Sequence, residues 1–333
     1  MKRIISGIQP SNKLTLGNYL GAIKQFVDLQ NKYEMYIFVA DLHALSGNFT
    51  PASLHENKKS LVATYAALGL NLSKNIIFYQ SAVPAHTQLS WILTCNTTMG
   101  ILNKMTQFKD KTAKVVLANG TSMIPTGLFM YPVLMAADIM LYDADYVAVG
   151  IDQKQHVELT RDLAEKMNKK YGQLFKVSEP LIPEHGAKIM DLLNPTIKMS
   201  KSNANENGTI FLLDSIASIT KKIMGAKTDS LNKVNFDIVN QPGISNLLNI
   251  YSCLSGESIE KIVKQYRNKN YGEFKRSLTD IVIAFISKFQ TQYNKILKDE
   301  SKLEKQLAIN AEKCIKLTEA KMLKVNKAIG INK

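Results

Sequence analysis

Cysteine and long apolar runs are both scarce in this chain. Its 333 residues include three cysteines, Cys95, Cys253 and Cys314, which lie far apart and form no C-x-x-C pair. The spacing therefore predicts reduced structural thiols, and neither a disulfide framework nor a zinc knuckle. No uninterrupted apolar run approaches the roughly 18 residues of a membrane span. Because the apolar part of the first seven residues is also too short for a signal peptide, we expect a cytoplasmic protein without a membrane anchor.

Glycine-rich phosphate-binding motifs are missing as well. The sequence contains no G-x-x-x-x-G-K-[ST], and no G-x-G-x-x-G follows a predicted strand. Both motifs place backbone N–H groups around phosphates, so their absence excludes a P-loop kinase or ATPase.

Acidic residues are outnumbered by basic ones. Lys and Arg total 42 against 28 Asp and Glu, which gives a formal net charge of +14. Such an excess favours a polyanionic partner, with an attraction to phosphate that weakens as salt is added. A generic lysine-rich surface would have the same composition, so the charge alone leaves both interpretations open.

The first half of the sequence alternates between two apolar patterns. Short apolar runs bounded by turn-forming or polar residues predict buried strands at Arg3–Ser6, Met35–Ala40, Asn75–Gln80 and Tyr146–Val149. Helical patterns lie between or beside them, at Leu16–Leu29, Pro51–Leu68, Gln88–Met99 and Gly127–Leu141. This alternation predicts an α/β fold with a doubly wound, Rossmann-like parallel sheet, in which ligands bind beyond the carboxyl ends of the strands.

Strand-like runs nearly vanish after about residue 195. Helices are predicted at Leu212–Met224, Ser245–Leu254, Ile259–Tyr266, Phe274–Leu297 and Lys302–Ala328. We therefore expect two domains, residues 1–195 with the parallel sheet and residues 196–333 all-helical, the last helix being able to pack back on the first domain.

Two polar segments are candidates for chemistry. Thr15-Leu16-Gly17-Asn18 opens a helix, where free N–H groups attract phosphate and a glycine permits close approach of a base. An ordinary capping turn would look the same in isolation.

The second segment contains two lysines three residues apart, in Lys198-Met199-Ser200-Lys201-Ser202. Two flexible ammonium groups are suited to the negative charge that develops on a triphosphate during its reaction. A solvated basic loop has a similar composition.

Together these segments resemble the two signatures of the class I aminoacyl-tRNA synthetases, and within them of the bacterial tryptophanyl enzymes. The resemblance runs nearly end to end. Further matching stretches are Ser6–Ser11, Met105–Lys109, Tyr131-Pro132, Leu134–Ile139, Gly150–His156, Glu158–Asp162 and Pro242–Leu248. The resemblance implies activation of tryptophan with ATP and its transfer to tRNA(Trp). It also implies an anticodon-binding role for the helical domain and a homodimer.

The resemblance also implies a tryptophan pocket. Asp138 matches the aspartate that accepts the indole N–H in the family, although a core aspartate satisfied by the backbone is the alternative. Tyr131 and Gln153 match residues that hold the amino group. The remaining expected pocket residues are His43, Met135, Val147 and Val149.

Catalytic and ATP-binding residues follow from the same resemblance. The catalytic candidates are Thr15, Asn18, Lys111, Lys198 and Lys201, with Lys109 and Lys114 as alternatives to Lys111 for the phosphate contact. The ATP-binding candidates are Gln9, Pro10, Ser11, Gly17, Asn18, Gly150, Ile151, Asp152, Ile189, Lys198, Met199, Ser200, Lys201 and Ser202. With no carboxylate cluster in the sequence, no protein-built metal site is expected, and Mg²⁺ would arrive with ATP.

The chain departs from the family pattern at a few positions. Asn203-Ala204 follows the lysine loop where an aspartate and a proline are usual, and Ile151 replaces a common acidic residue. Two other functions stay open at this point: a synthetase for tyrosine, disfavoured by Asn18 and by the Ala136-Ala137-Asp138 context, and a catalytically silent paralogue that binds RNA.

Overall fold

The computed structural model describes residues 1–10, 13–47, 49–109, 112, 124–182, 188–200, 203 and 205–333, with only the backbone of residue 152. Five parallel strands form one sheet in the order β3-β2-β1-β4-β5. The strands are β1 (Arg3–Ile8), β2 (Glu34–Val39), β3 (Ile76–Tyr79), β4 (Tyr146–Ala148) and β5 (Glu179–Leu181). The predicted doubly wound parallel sheet is confirmed, and the winding direction reverses between β1 and β4.

The strand prediction missed β5. This strand is three residues long and contains Pro180, which has no N–H to donate to a neighbour. A proline is tolerated there because β5 pairs with β4 alone and forms one edge of the sheet. So short a strand with a proline leaves no pattern of its own in the sequence.

Helices surround the sheet and make up the second half of the chain. In the first half they are α1 (Leu16–Asn18), α2 (Lys24–Leu29), α3 (Asp41–Ala44), α4 (Pro51–Ala67), α5 (Ala85–Cys95), α6 (Met99–Leu102), α7 (Thr126–Met140) and α8 (Lys154–Tyr171). In the second half they are α9 (Ile216–Met224), α10 (Pro242–Ser255), α11 (Ile259–Tyr266), α12 (Tyr271–Lys298) and α13 (Glu300–Ala328).

Two helix predictions were wrong in their extent. The predicted helix Leu16–Leu29 is divided by a π-helical turn, Tyr19–Ile23, which sequence periodicity does not distinguish from an α-helical one. The predicted helix Gln88–Met99 ends at Cys95, and Thr98 caps a separate short helix by accepting a hydrogen bond from the backbone N–H of Ile101.

The last helix packs back onto the sheet around its β3 edge. Leu303 and Leu307 join the core on one face of the sheet, whereas Cys314 and Met322 join the core on the other. At the edge itself, the buried side chain of Asn310 donates through Nδ2 to the β3 carbonyl of Ile77 at 3.0 Å. This bond covers a strand edge that would otherwise face solvent. Among the described residues, no helix is long and apolar enough to cross a membrane.

Candidate active site

A cavity of about 590 Å³ opens where the winding of the sheet reverses. Its floor comes from β1 and β4, including Ile5, Gly7 and Val147, and its rim from the segments that follow the carboxyl ends of β1, β2 and β4. This is where ligands bind in open parallel sheets. The lining includes twelve of the residues predicted from the sequence: Gln9, Asn18, His43, Tyr131, Met135, Asp138, Val147, Val149, Gln153, Lys198, Met199 and Ser200.

Asp138 is the buried charged group of the cavity wall, with no exposed surface of its own. Its Oδ1 accepts hydrogen bonds from Gln80 Nε2 at 2.7 Å and from His86 Nδ1 at 2.6 Å. Its Oδ2 accepts from His43 Nε2 at 2.8 Å. A carboxylate offers about four lone-pair positions. Three are used by these described side chains, which leaves one on Oδ2, the oxygen shared with His43 of the cavity lining.

The electrostatics keep Asp138 ionised. Burial alone would raise its pKa, but the hydrogen bonds from His43 and His86 outweigh burial and lower the pKa to about 2. Asp138 is therefore an acceptor, not a donor, over the whole physiological pH range. Among the described residues, the hydrogen-bond partners of Asp138 are three side chains and not the backbone group of the structural alternative.

A second buried carboxylate holds two partners of Asp138 in place. Asp41, at the start of α3, accepts from the backbone N–H of Ser81 at 2.9 Å and from its hydroxyl at 2.6 Å. Ser81 lies in the 3₁₀ turn Gln80–Ala82, directly after β3. These bonds tie the turn that contains Gln80 to the short helix that contains His43, so two of the three donors to Asp138 come from elements that are bonded to each other.

Tyr131 and Gln153 face the same cavity from two other elements. Tyr131 lies on α7, two turns before Asp138, and its hydroxyl forms a 2.9 Å hydrogen bond with Nε2 of the buried His156. Burial raises the pKa of Tyr131 to about 12, so its hydroxyl stays protonated. Gln153 closes the 3₁₀ turn that follows β4. Tyr131 and Gln153 thus add two neutral polar groups to the cavity wall that contains the charged Asp138.

Thr15 and Asn18 form a reciprocal capping box at the start of α1. The Thr15 backbone N–H donates to Asn18 Oδ1 at 3.0 Å, and the Asn18 N–H donates to Thr15 Oγ1 at 3.0 Å. Thr15 is fully buried, whereas Asn18 lines the cavity. The predicted capping turn is therefore present, and it orients one cavity side chain.

The start of the lysine loop lies directly against α1. A Cβ on Gly17 would stand 3.4 Å from the Cβ of Met199 and 3.6 Å from that of Ile189. The Met199 N–H donates to the Ile189 carbonyl at 3.0 Å, in a short antiparallel bridge that also places Lys198 opposite Met190. Lys198 is exposed but borders the cavity, so its ammonium group can swing over it.

The side chain of Asn203 binds both the lysine loop and a buried aspartate. Its Nδ2 donates to the buried Asp191 Oδ2 at 2.7 Å and to the Lys198 carbonyl at 3.2 Å. Asp191 Oδ1 accepts from the backbone N–H groups of Leu193 and Asn194. An aspartate, usual in the family at position 203, would bring a second carboxylate against Asp191. The asparagine in this chain instead supplies a donor to that carboxylate.

Other predicted residues frame the cavity or lie outside the described part of the chain. Those that the structure describes outside the cavity lining are Pro10, Thr15, Gly17, Gly150, Ile151 and Ile189. Thr15 and Ile189 are buried beneath the site, and Ile151 is 69% exposed. The predicted residues that lie outside the described residues are Ser11, Lys111, Lys201 and Ser202, together with the side chain of Asp152. No group of three or more His, Cys, Asp or Glu residues in the described ranges could hold a metal ion.

Sequence reasoning missed Gln80, His86 and Phe38. Gln80 and His86 bind Asp138 from behind the cavity, and the Phe38 ring lies over Gly7, where an added Cβ would meet it at 2.3 Å. Only Gln80 could have been found from its position in the sequence. It ends the predicted third strand, and ligands bind at the carboxyl ends of the strands in such a sheet.

Comparisons with known proteins agree with this geometry. Residues 1–287 match the family model described as tRNA synthetases class I (W and Y). The tryptophan–tRNA ligase of Malacoplasma penetrans is 57% identical over 99% of this chain and 98% of its own length. That of Listeria monocytogenes is 46% identical over 100% of this chain and 99% of its own length.

Solved structures of the same kind share the whole fold. The tryptophanyl-tRNA synthetase of Mycoplasma pneumoniae superposes with a TM-score of 0.88 at 36% identity, covering 100% of this chain and 98% of that one. The Campylobacter jejuni enzyme, solved with ADP and tryptophan, superposes with a TM-score of 0.85 at 36% identity, covering 98% and 99% of the two chains. The chain therefore belongs to the class I tRNA synthetases, and within them to the tryptophanyl-tRNA synthetases.

Proposed function

We propose that this ligase activates L-tryptophan with ATP inside the cavity and then esterifies the amino acid to tRNA(Trp). The observation that carries the proposal is the ionised Asp138, which offers one lone pair of Oδ2 at the wall of an apolar pocket. An aromatic ring with a single N–H donor satisfies such an acceptor, since a buried carboxylate needs its lone pairs filled.

The apolar end of the cavity would hold the indole ring. Met135, Val147 and Val149 supply flat apolar walls, and Asp138 Oδ2 would accept the ring N–H beside His43. Tyr131 and Gln153, which line the same cavity, would hold the amino group of tryptophan and so orient its carboxylate towards the nucleotide.

The polar end of the cavity would hold ATP. Gln9, Lys198, Met199 and Ser200 border it. Because Oδ1 of Asn18 is held by Thr15, its Nδ2 is the group available to donate to a phosphate. The remaining ATP-binding candidates are proposed to frame the nucleotide from outside the lining: Pro10, Ser11, Gly17, Gly150, Ile151, Asp152, Ile189, Lys201 and Ser202. We propose that Mg²⁺ enters with ATP and is held chiefly by its phosphates.

The reaction would proceed in two steps. An oxygen of the tryptophan carboxylate attacks the α-phosphorus, the bond to the bridging oxygen breaks, and pyrophosphate leaves with the electron pair. A terminal ribose hydroxyl of the tRNA then attacks the acyl carbon, its proton is lost, and AMP departs. In this scheme Lys198 and Lys201 neutralise the charge that builds on the leaving pyrophosphate, and Lys111 contacts phosphate. The enzyme contributes mainly positioning and charge neutralisation.

The rest of the chain would serve the tRNA and the assembly. We propose that residues 1–195 form the catalytic domain and that residues 196–333, with the lysine loop and the helices, bind the anticodon of the tRNA. A net charge of +14 favours binding of such a polyanion.

We also propose a cytoplasmic homodimer. Leu45 and Trp91, exposed to 54% and 69%, line a second groove with Met130 and Leu134, and a second copy of the chain could cover this apolar face.

Amino-acid-dependent exchange of pyrophosphate into ATP tests the proposal. Exchange measured with each of the twenty amino acids should be stimulated by tryptophan and hardly at all by tyrosine. Stimulation by tyrosine instead would contradict the indole pocket. No stimulation by any amino acid would indicate a catalytically silent paralogue.

A further inference from the structure

Asp138 belongs to a buried chain of side chains that continues away from the cavity. The other ring nitrogen of His86, Nε2, forms a 2.8 Å hydrogen bond with the hydroxyl of Tyr142. Tyr142 lies in the same buried core as Cys314 of α13. His86, Tyr142 and Cys314 are all fully buried, and neither His86 nor Tyr142 lines the cavity.

The protons in this chain have one consistent order. An ionised Asp138 can only accept, so His86 donates to it through Nδ1. In a neutral His86 the opposite nitrogen is then an acceptor, and the Tyr142 hydroxyl donates to it. Burial raises the pKa of Tyr142 well above its ordinary value, so this hydroxyl keeps its proton. Each polar atom of His86 and the Tyr142 hydroxyl therefore has a partner of the right kind.

The chain also fixes which oxygen of Asp138 faces the substrate. Both donors that do not line the cavity, Gln80 Nε2 and His86 Nδ1, bind Oδ1. Tilting the carboxylate out of this plane would lengthen both bonds, so the two donors hold its orientation. A carboxylate held by two donors on one oxygen thus presents the other oxygen in a defined direction.

We propose that His86 and Tyr142 are positioning residues that set the selectivity of this enzyme for a ring N–H. They touch no substrate. They hold Oδ1 of Asp138 so that the remaining lone pair of Oδ2 points at the indole nitrogen. This inference rests on the proposed role of Asp138 as the acceptor for tryptophan.

Competition between two substrates tests the inference. The enzyme is offered tryptophan together with the analogue whose ring carries sulfur in place of the N–H. The ratio of the two kcat/KM values is taken from the initial rates at which the two adenylates, which differ in mass, are formed. The variants are Tyr142→Phe, His86→Leu and His86→Asn, of which the last retains an N–H near the position of Nδ1. Because a ratio from competition does not depend on the fraction of folded enzyme, a destabilised variant remains informative.

Tyr36→Phe is the matched control. The Tyr36 ring lies 5.3 Å from that of Tyr142 in the same core, and its partly buried hydroxyl donates to Glu34 Oε1 at 3.0 Å. The substitution removes a hydroxyl of the same kind from the same region without touching the chain behind Asp138.

We expect the preference for tryptophan to fall about fivefold or more in Tyr142→Phe and His86→Leu, since each loses a hydrogen bond that orients an ionised acceptor. His86→Asn should regain part of the preference, and Tyr36→Phe should stay within about twofold of the unsubstituted enzyme. Tyr142→Phe and His86→Leu proteins that are less stable but keep the full preference would overturn the inference. An unsubstituted enzyme that accepts both substrates equally would overturn the role of Asp138 itself.

Discussion

Lys198 and Asp138 illustrate two different uses of a charged side chain in one cavity. Asp138 is fully buried, and three donors hold it in one orientation. Lys198 is exposed, and the bridge to Met190 holds its backbone. A rigid acceptor is suited to reading a substrate, whereas a flexible ammonium group is suited to following charge as it moves during a reaction.

Lysine substitutions should separate binding from catalysis. We expect Lys198→Ala and Lys201→Ala to lower the rate of adenylate formation by about 100-fold to 1,000-fold each, because their contacts to the leaving phosphates are strongest in the transition state. The dissociation constant for tryptophan should hardly change. Single-turnover kinetics and equilibrium titration measure the two quantities. Lys221→Ala, which removes an exposed lysine on α9, is the control. Exchange rates within threefold of the unsubstituted enzyme for both variants would contradict these roles.

Strands β1 to β4 could be predicted because each is a short apolar run between turn residues. Strands of a parallel sheet are buried on both faces, and this burial produces such apolar runs in the sequence. The position of the site followed from the parallel sheet, and many of its residues followed from motifs. Neither route reveals the donors behind Asp138. Gln80 and His86 are 58 and 52 residues away from Asp138 in the sequence, and Tyr142 is 56 residues away from His86. No local sequence pattern encodes contacts between residues so far apart.

The anchor beneath the lysine loop is a second feature that the sequence alone did not explain. We expect Asn203→Ala to raise the KM for ATP about threefold or more, because the buried Asp191 carboxylate loses a donor and the loop loses an attachment. Tryptophan binding should be unaffected. Asn207→Ala, at an exposed position a few residues on, provides the comparison. Equal KM values for ATP in the two variants would show that the anchor has no influence on the nucleotide.

The charge of the complete chain predicts how the two steps respond to salt. Binding of tRNA should weaken steeply as salt is added, because basic side chains that neutralise phosphates release counterions. Adenylate formation involves few phosphates and should respond much less. Filter binding of tRNA and pyrophosphate exchange, each measured over the same salt series, give the two slopes. Similar slopes for tRNA and for ATP would argue against an extended basic face for RNA.

The exposed apolar groove predicts the state of assembly. We expect Trp91→Glu to shift the protein from dimer to monomer in sedimentation velocity, since a carboxylate would be buried against the second copy without a partner. Leu323→Glu changes a side chain of similar exposure, 63%, on α13 and should leave the dimer intact. An unsubstituted protein that sediments as a monomer, or a Trp91→Glu protein that remains dimeric, would place the interface elsewhere or exclude it.

The proposed choice of tryptophan depends on a cavity that recognises the ring N–H through Asp138. The most direct experiment compares the unsubstituted enzyme with Asp138→Ala in the competition between tryptophan and its sulfur analogue. The unsubstituted enzyme should prefer tryptophan strongly, because the analogue leaves a buried acceptor unpaired. Asp138→Ala should lose about tenfold to 100-fold in kcat/KM for tryptophan and discriminate little between the two. Full preference for tryptophan in Asp138→Ala would contradict the account, as would equal use of both substrates by the unsubstituted enzyme.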